Sequence, residues 1–222
     1  MHDDTIEIAQ PASDTESLKR WFQPVKAAFA HEHTDAMFDV DEQLWEKDRL
    51  IGAREGETWV GGASAFSMRM SVPGGVVRAA GISDVGVAPT HRRRGVLTRM
   101  MRSLLEQAAE RGEPVAILHA SEGAIYPHFG FGLATLQGRF EANREAFRFV
   151  RPAEPLGRVR LVEGDEAMRL VPPVFEAIFG QRIGEVSRPP DKWRLTLLRS
   201  SPLKSTLNSI SWRAKSSLNF LT

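Results

Sequence analysis

A chain of 222 residues, 42% hydrophobic and 26% charged with a net charge of +1, is long enough to bury a core without a covalent staple. Its near-zero charge makes neither a nucleic acid nor a membrane surface the expected partner. Cysteine is absent, which excludes disulfides, thiolate catalysis and cysteine-ligated metals, and no metal site is expected.

The first residues, MHDDTIEIAQ, lack a basic stretch followed by an apolar run, and no segment nears the roughly 18 apolar residues of a membrane helix. A cytoplasmic location is therefore expected. Residues 5–9 alternate as a short strand, and Ser13 with Glu16 reads as a capping box opening the amphipathic run SLKRWFQPVKAAF, with a kink expected at Pro24. A second, acidic helix is expected over about 40–48. LIGAR (50–54) and TWVGGASAFSMRM (58–70), separated by a Glu-Gly-Glu turn, form a hairpin signal.

After Pro73-Gly74-Gly75 comes VVRAAGISDVGVA, read as a central strand in which Gly86 marks a bulge or a close backbone approach. From Gly95 onward Val96, Leu97, Met100, Met101, Leu104, Leu105, Ala108 and Ala109 recur at helical spacing, and Gly112 and Pro114 close the helix. VAILHA (115–120) reads as a buried strand parallel to the earlier one. The segment 133–150 resumes strand-like alternation, 151–165 reads as a loop, and EAMRLVPPVFEAIF, within 166–199, predicts a short helical pair. The sum is a mixed α/β fold.

Charge is segregated along the chain. Residues 1–48 hold twelve acids against four bases, and residues 91–111 hold six arginines against two acids. The basic cluster Arg92, Arg93, Arg94 falls where a strand gives way to a helix. Helix N-termini present unbonded N–H groups and the positive end of a dipole, and Gly95 lets backbone come close, so the junction reads as an anion site suited to pyrophosphate. An arginine run alone is more often a solvated face. Polynucleotide is not the expected anion, because no stacking aromatics flank the arginines.

VAPTHRRRGVLTRM resembles the pyrophosphate motif of the GCN5-related N-acetyltransferases (GNAT), Arg/Gln-x-x-Gly-x-Gly/Ala, with Arg92, Gly95 and Leu97 at the key positions. Leucine in place of the last small residue, and the downstream stretch HASEGAIYPHFGFGLAT (119–135), are similar to the enhanced intracellular survival (Eis) branch. The resemblance implies a mixed-sheet α/β acyl-CoA N-acyltransferase fold binding acetyl-CoA in a notch between two splayed parallel strands. It assigns the pantetheine to the backbone of Val85, Gly86 and Val87, the pyrophosphate to Arg92, Arg93, Arg94, Gly95, Val96, Leu97 and Thr98, and the second wall to Ser121 and Glu122. Tyr126, the single tyrosine, takes the role of proton donor to the departing CoA thiolate. Without the resemblance this residue reads as a core aromatic, and His128 reads as packing.

In the Eis branch the base is a C-terminal carboxylate after a second acetyltransferase-like domain and a sterol-carrier-like domain, and the proteins form hexamers. This sequence ends at Thr222 and resembles the family's second domain only over 166–198. The expected division is an acetyltransferase domain over 1–145, a linker and incomplete second GNAT-like domain over 146–199, and a divergent tail over 200–222, with seven serines and no acid, that fits a truncated or frame-shifted end. Hexamer formation is doubtful for so short a chain. His119, Glu122 and Asp84 lie near the motif strands as substitute bases. The acidic stretch 31–48 fits a small-molecule amine acceptor such as a polyamine or aminoglycoside, though such residues also cover ordinary helix surfaces. Two functions follow: an acetyl-CoA-dependent N-acetyltransferase, or an acyl-CoA-binding remnant with little activity.

Overall fold

A computed structural model gives the fold for residues 6–30, 33–135, 139–143, 151, 157–158, 160, 162, 164–197, 209–213 and 219–221. The strands β1 (Ile6–Ala9), β2 (Leu50–Glu55), β3 (Thr58–Val72) and β4 (Gly75–Val87) run antiparallel in that order. β5 (Val115–Leu118) then lies parallel to β4, as the strand-helix-strand spacing predicts. β9 (Asn219–Leu221) and β6 (Gly132–Leu133) complete a seven-stranded mixed sheet, while β7 (Arg139–Asn143) and β8 (Ser209–Arg213) form a separate pair. The remaining residues of the 133–150 alternation, and most of the 151–165 loop, lie outside the described residues.

Helices cover both faces of the sheet. Neighbouring residues Gly61 and Gly62 of β3 point to opposite sides. A Cβ on Gly61 would meet Met100 of α3 (Val96–Glu110), whereas one on Gly62 would meet Val25 and Trp21 of α1 (Thr15–Phe29). Under α3 the core comprises Ala63, Ala65, Ala80, Ile82, Met100, Met101 and Leu104 with their neighbours. Under α1 it is aromatic: Trp21, Phe22, Phe38 and Trp45 pack at centroid distances of 5.1–6.3 Å, and the Trp21 indole donates to the Ile51 carbonyl at 2.7 Å.

Local expectations shift in three places. The cap of α1 is Asp14, whose carboxylate accepts from the Ser17 N–H at 2.9 Å, so the acidic side chain one residue after Ser13 displaces it. α1 contains Pro24 in its interior, as the sequence reading has it. The acidic helix α2 spans Asp35–Leu44, earlier than the sequence reading, because Thr34 caps it and Trp45 turns extended. Helix α4 (Gly164–Ile178) is one helix, not a pair, with Pro172 and Pro173 inside it. Downstream of α4, residues 182–187 bond back to Arg69 and Ser71 at the end of β3. No helix among the described residues is long and apolar enough to cross a membrane.

One buried ion pair fastens the sheet. Arg49, at the entry to β2, donates two hydrogen bonds to Glu113, in the turn between α3 and β5, at 2.6 and 2.7 Å, and both side chains are 1% exposed. Removing one partner leaves an uncompensated buried charge, so Glu113→Ala should lower the unfolding free energy in urea by about 3–5 kcal/mol. The paired replacement Arg49→Met with Glu113→Leu should recover most of that loss.

Candidate active site

The site begins with one extra residue in β4. Gly62 pairs with Gly86 and Ser64 with Ser83, so β3 covers with Ala63 alone the interval that β4 covers with Asp84 and Val85. This is a β-bulge, and its first residue, Asp84, has φ 56° in the left-handed region, where aspartate is tolerated better than most side chains at a cost of about 1–2 kcal/mol. The bulge therefore lies two residues before Gly86. Gly86 is the close approach: a Cβ there would sit 2.8 Å from the Val25 Cα.

An inserted residue reverses the alternation of a strand. Before the bulge, Ala80 and Ile82 face the core beneath α3; after it, Val85 and Val87 line a pocket on the α3 side while Gly86 abuts α1. The parallel pairing of β4 with β5 ends at Ile82 and Leu118, immediately before the bulge. Past that point His119 and Ala120 leave β5, shortening the strand read from the sequence, and the parallel register of the two strands ends. The opening is a pocket of about 590 Å³, within the range of small-molecule sites.

The floor of the pocket is the start of α3. Arg93 and Gly95 both hold positive φ, 62° and 75°, and wrap the basic loop over the helix end. The first intrahelical bond runs from the Arg99 N–H to the Gly95 carbonyl at 3.1 Å, so the N–H groups of Val96, Leu97 and Thr98 precede it, as at any helix start. A Cβ on Gly95 would meet nothing within 4 Å, so glycine there serves the backbone turn and leaves the approach open. Arg92, Arg93, Gly95, Val96, Leu97 and Thr98 all line the pocket.

Arg94 departs from its sisters. Its guanidinium donates to Glu55 at the β2–β3 turn at 2.9 Å, and Glu55 also bonds His91 at 3.2 Å. Arg94, and His91 after it, hold the Glu55 carboxyl below the usual carboxylate range. The Arg94 side chain is thus a strap for the loop and does not line the pocket.

Ser121, Glu122 and Tyr126 form the far wall, with Tyr126 opening a short 3-10 turn and packing edge-on against Phe131 at 6.0 Å. Burial, then the Glu122 charge, pushes the phenol up from its usual range, so it stays protonated at neutral pH and is fit to donate. His128 lies outside this pocket and takes its bond from within the turn, with Nδ1 3.2 Å from the Ile125 carbonyl oxygen. The last turn of α1, Ala28 and Phe29, also lines the pocket, although nothing in that amphipathic run marks it in the sequence.

Asp84 points to the other face, where its carboxylate accepts from the Trp45 indole at 3.0 Å and the Ser64 hydroxyl at 2.6 Å. Burial raises its pKa above the usual carboxylate range, and nearby Asp41 adds to the rise. Elsewhere in the acidic stretch, Asp41 bonds His33 at 2.8 Å and Glu42 accepts from Thr15, so part of that charge is used within the protein.

Residues 11–134 match the family model for the acetyltransferase (GNAT) domain. An uncharacterized N-acetyltransferase of Streptomyces avermitilis is 42% identical over 164 residues, which cover 71% of this chain and 40% of that protein. The N-acetyltransferase Eis of Mycobacterium tuberculosis is 43% identical over 152 residues, 64% of this chain and 37% of that one. The chain spans about two fifths of the length of these curated relatives. Among solved structures, Eis1 from Mycobacterium abscessus is similar with a TM-score of 0.71 at 31% identity, over 87% of this chain and 48% of that one.

Inorganic pyrophosphate tests the floor of the pocket on its own. At ten times its Kd it should stabilise the wild type by about 1.4 kcal/mol in a thermal-shift titration. Gly95→Glu, which sets a carboxylate at the helix start, should abolish that shift; an unchanged shift would remove the anion from this place.

Proposed function

The chain belongs to the GNAT acetyltransferase family, and on that premise we propose that it moves an acetyl group from acetyl-CoA to a primary amine of a cationic small molecule, of polyamine or aminoglycoside type. The observation that carries the reading is the pocket itself: one opening joins the freed edge of β4, the N-terminus of α3 with its arginines, and the lone tyrosine. Residues 1–145 form the catalytic domain in this reading, 146–199 a linker and the start of a second GNAT-like domain, and 200–222 a divergent tail. The setting is cytoplasmic.

The diphosphate of the donor would take the N–H groups of Val96, Leu97 and Thr98, with Arg92 and Arg93 neutralising its charge. The pantetheine arm would then run along the backbone of Val85 to Val87, whose pairing with β5 has lapsed, and Ser121 and Glu122 would close the second wall. A neutral amine attacks the thioester carbon, the C–S bond breaks, and the thiolate takes the Tyr126 proton. A thiol is a stronger acid than a phenol by about 1.5 pKa units, so the phenol acts by hydrogen-bonding the thiolate as it forms and transferring the proton late.

Thiol release measured with acetyl-CoA and either spermidine or an aminoglycoside tests this. The wild type should bind acetyl-CoA and acetylate the amine, whereas Tyr126→Phe should bind equally well and turn over about 100-fold more slowly. Failure of the wild type to bind acetyl-CoA would defeat the reading.

A further inference from the structure

We infer that Asp84 is a catalytic residue, the carboxylate that receives the cationic amine and takes its first proton, on the α1–α2 side of the β4 bulge; this rests on the acetyl-transfer reading above. Three observations converge on it. The bulge turns Asp84 to the face opposite Val85, so the residue that abuts the thioester edge of the pocket and the carboxylate on the other face are chain neighbours, with Cα atoms about 3.8 Å apart. The carboxylate is held by two neutral donors, the Trp45 indole and the Ser64 hydroxyl, both on one oxygen. Both of these donors are uncharged, in contrast to the partner of Glu113, which the same fold supplies with an arginine.

Asp84 is half-buried, and a carboxylate partly withdrawn from water among neutral groups is held at a cost that protonation or a positive ligand relieves. Here the reaction itself brings one. A left-handed backbone at a non-glycine residue is a second cost, and glycine would have avoided both. Retaining an aspartate where glycine suits the bulge better is explained if the side chain has work that glycine cannot do.

The proton balance closes without an added group. The ammonium passes one proton to Asp84, and the resulting amine forms the C–N bond. As the C–S bond breaks, sulfur takes the Tyr126 proton, and the second proton shed by nitrogen restores the phenol. Asp84 returns its proton to solvent, so the net release is one proton for each acetyl transferred. The titratable groups on the elements around Asp84 are Asp41 of α2, His33 bonded to Asp41, Lys26 of α1 bonded to the His33 carbonyl, and His119 just past β5. Asp41 opposes ionisation of Asp84 and also attracts the incoming cation.

Two substitutions separate catalysis from architecture. Asp84→Asn keeps an acceptor for Trp45 and Ser64 and tolerates the left-handed backbone, and Asp84→Gly keeps the bulge and vacates the carboxylate's volume. Both should bind acetyl-CoA within about twofold of wild type by calorimetry, yet lose at least about 50-fold in kcat with spermidine or an aminoglycoside. The wild-type rate should fall in acid as Asp84 gains its proton, a limb that Asp84→Asn should lack. Added formate should restore turnover to Asp84→Gly and not to Asp84→Asn, a rescue that a scaffolding role would not give. Wild-type kcat and an unaltered acid limb in Asp84→Asn would overturn the inference while leaving the tyrosine's role standing. So would a wild type that binds acetyl-CoA and acetylates neither amine, or an Asp84→Gly protein that formate does not revive.

Discussion

The whole site depends on one residue too many in β4. Parallel strands stay joined only while their backbone groups face each other in step, and the bulge at Asp84 breaks that step immediately after Ile82. Three consequences follow from a single local event. The edge of β4 past the bulge is freed from β5, the alternation of side chains is reversed so that Val85 and Val87 look into the pocket, and a carboxylate is turned to the opposite face. A regular strand of the same composition would seal the sheet and leave α3 with nothing above its N-terminus.

That arrangement divides electrostatic labour across the sheet. On the α3 side, the helix dipole, Arg92 and Arg93 gather positive potential; on the α1–α2 side, Asp84 and Asp41 gather negative potential. The two faces thus differ in the sign of the charge they favour, and the opening lies between them. Glu55 refines the donor side: by holding Arg94 and His91 it fixes both ends of the basic loop, so that Arg93 sits in its left-handed turn without a glycine's help. The overall charge near zero, which tells against a polynucleotide partner, is what two opposed local fields sum to.

The fold was largely legible in the sequence because its elements are strongly periodic. The α3 stripe from Val96 to Ala108, the hairpin around Gly56 and the strand-helix-strand spacing each carry an unambiguous period. The helix start at the floor of the pocket was legible too, since a glycine after three arginines marks where the strand gives way to α3. What escaped was set by tertiary contact. The sequence leaves Gly86 as either a bulge or a close approach; it is the close approach, packed on Val25, and an aspartate two positions earlier bears the positive φ of the bulge. Arg94 could not be told from Arg92 and Arg93 without knowing that the β2–β3 turn brings Glu55 beside it. Ala28 and Phe29 join the pocket only because α1 ends over the freed edge of β4.

Local choices in this chain agree with the global fold in most places, and among the described residues the non-glycine positive-φ positions Ala30, Asp84 and Arg93 are exceptions, of which Asp84 is the most informative. Caps and apolar stripes favour the structure that forms, yet at Asp84 the chain accepts a strained backbone and a half-buried carboxylate held by neutral donors in one residue. Each raises the energy of the folded state by an amount that matters against a total stability of about 5–15 kcal/mol. The Trp45 and Ser64 donors offset part of it and at the same time fix the direction of the carboxylate, drawing it towards the aromatic cluster beneath α1. Sequences tend to break their own local rules where function requires it. One place where this chain does so is the bulge that opens the pocket, which ties the strain to the opening through a single backbone turn.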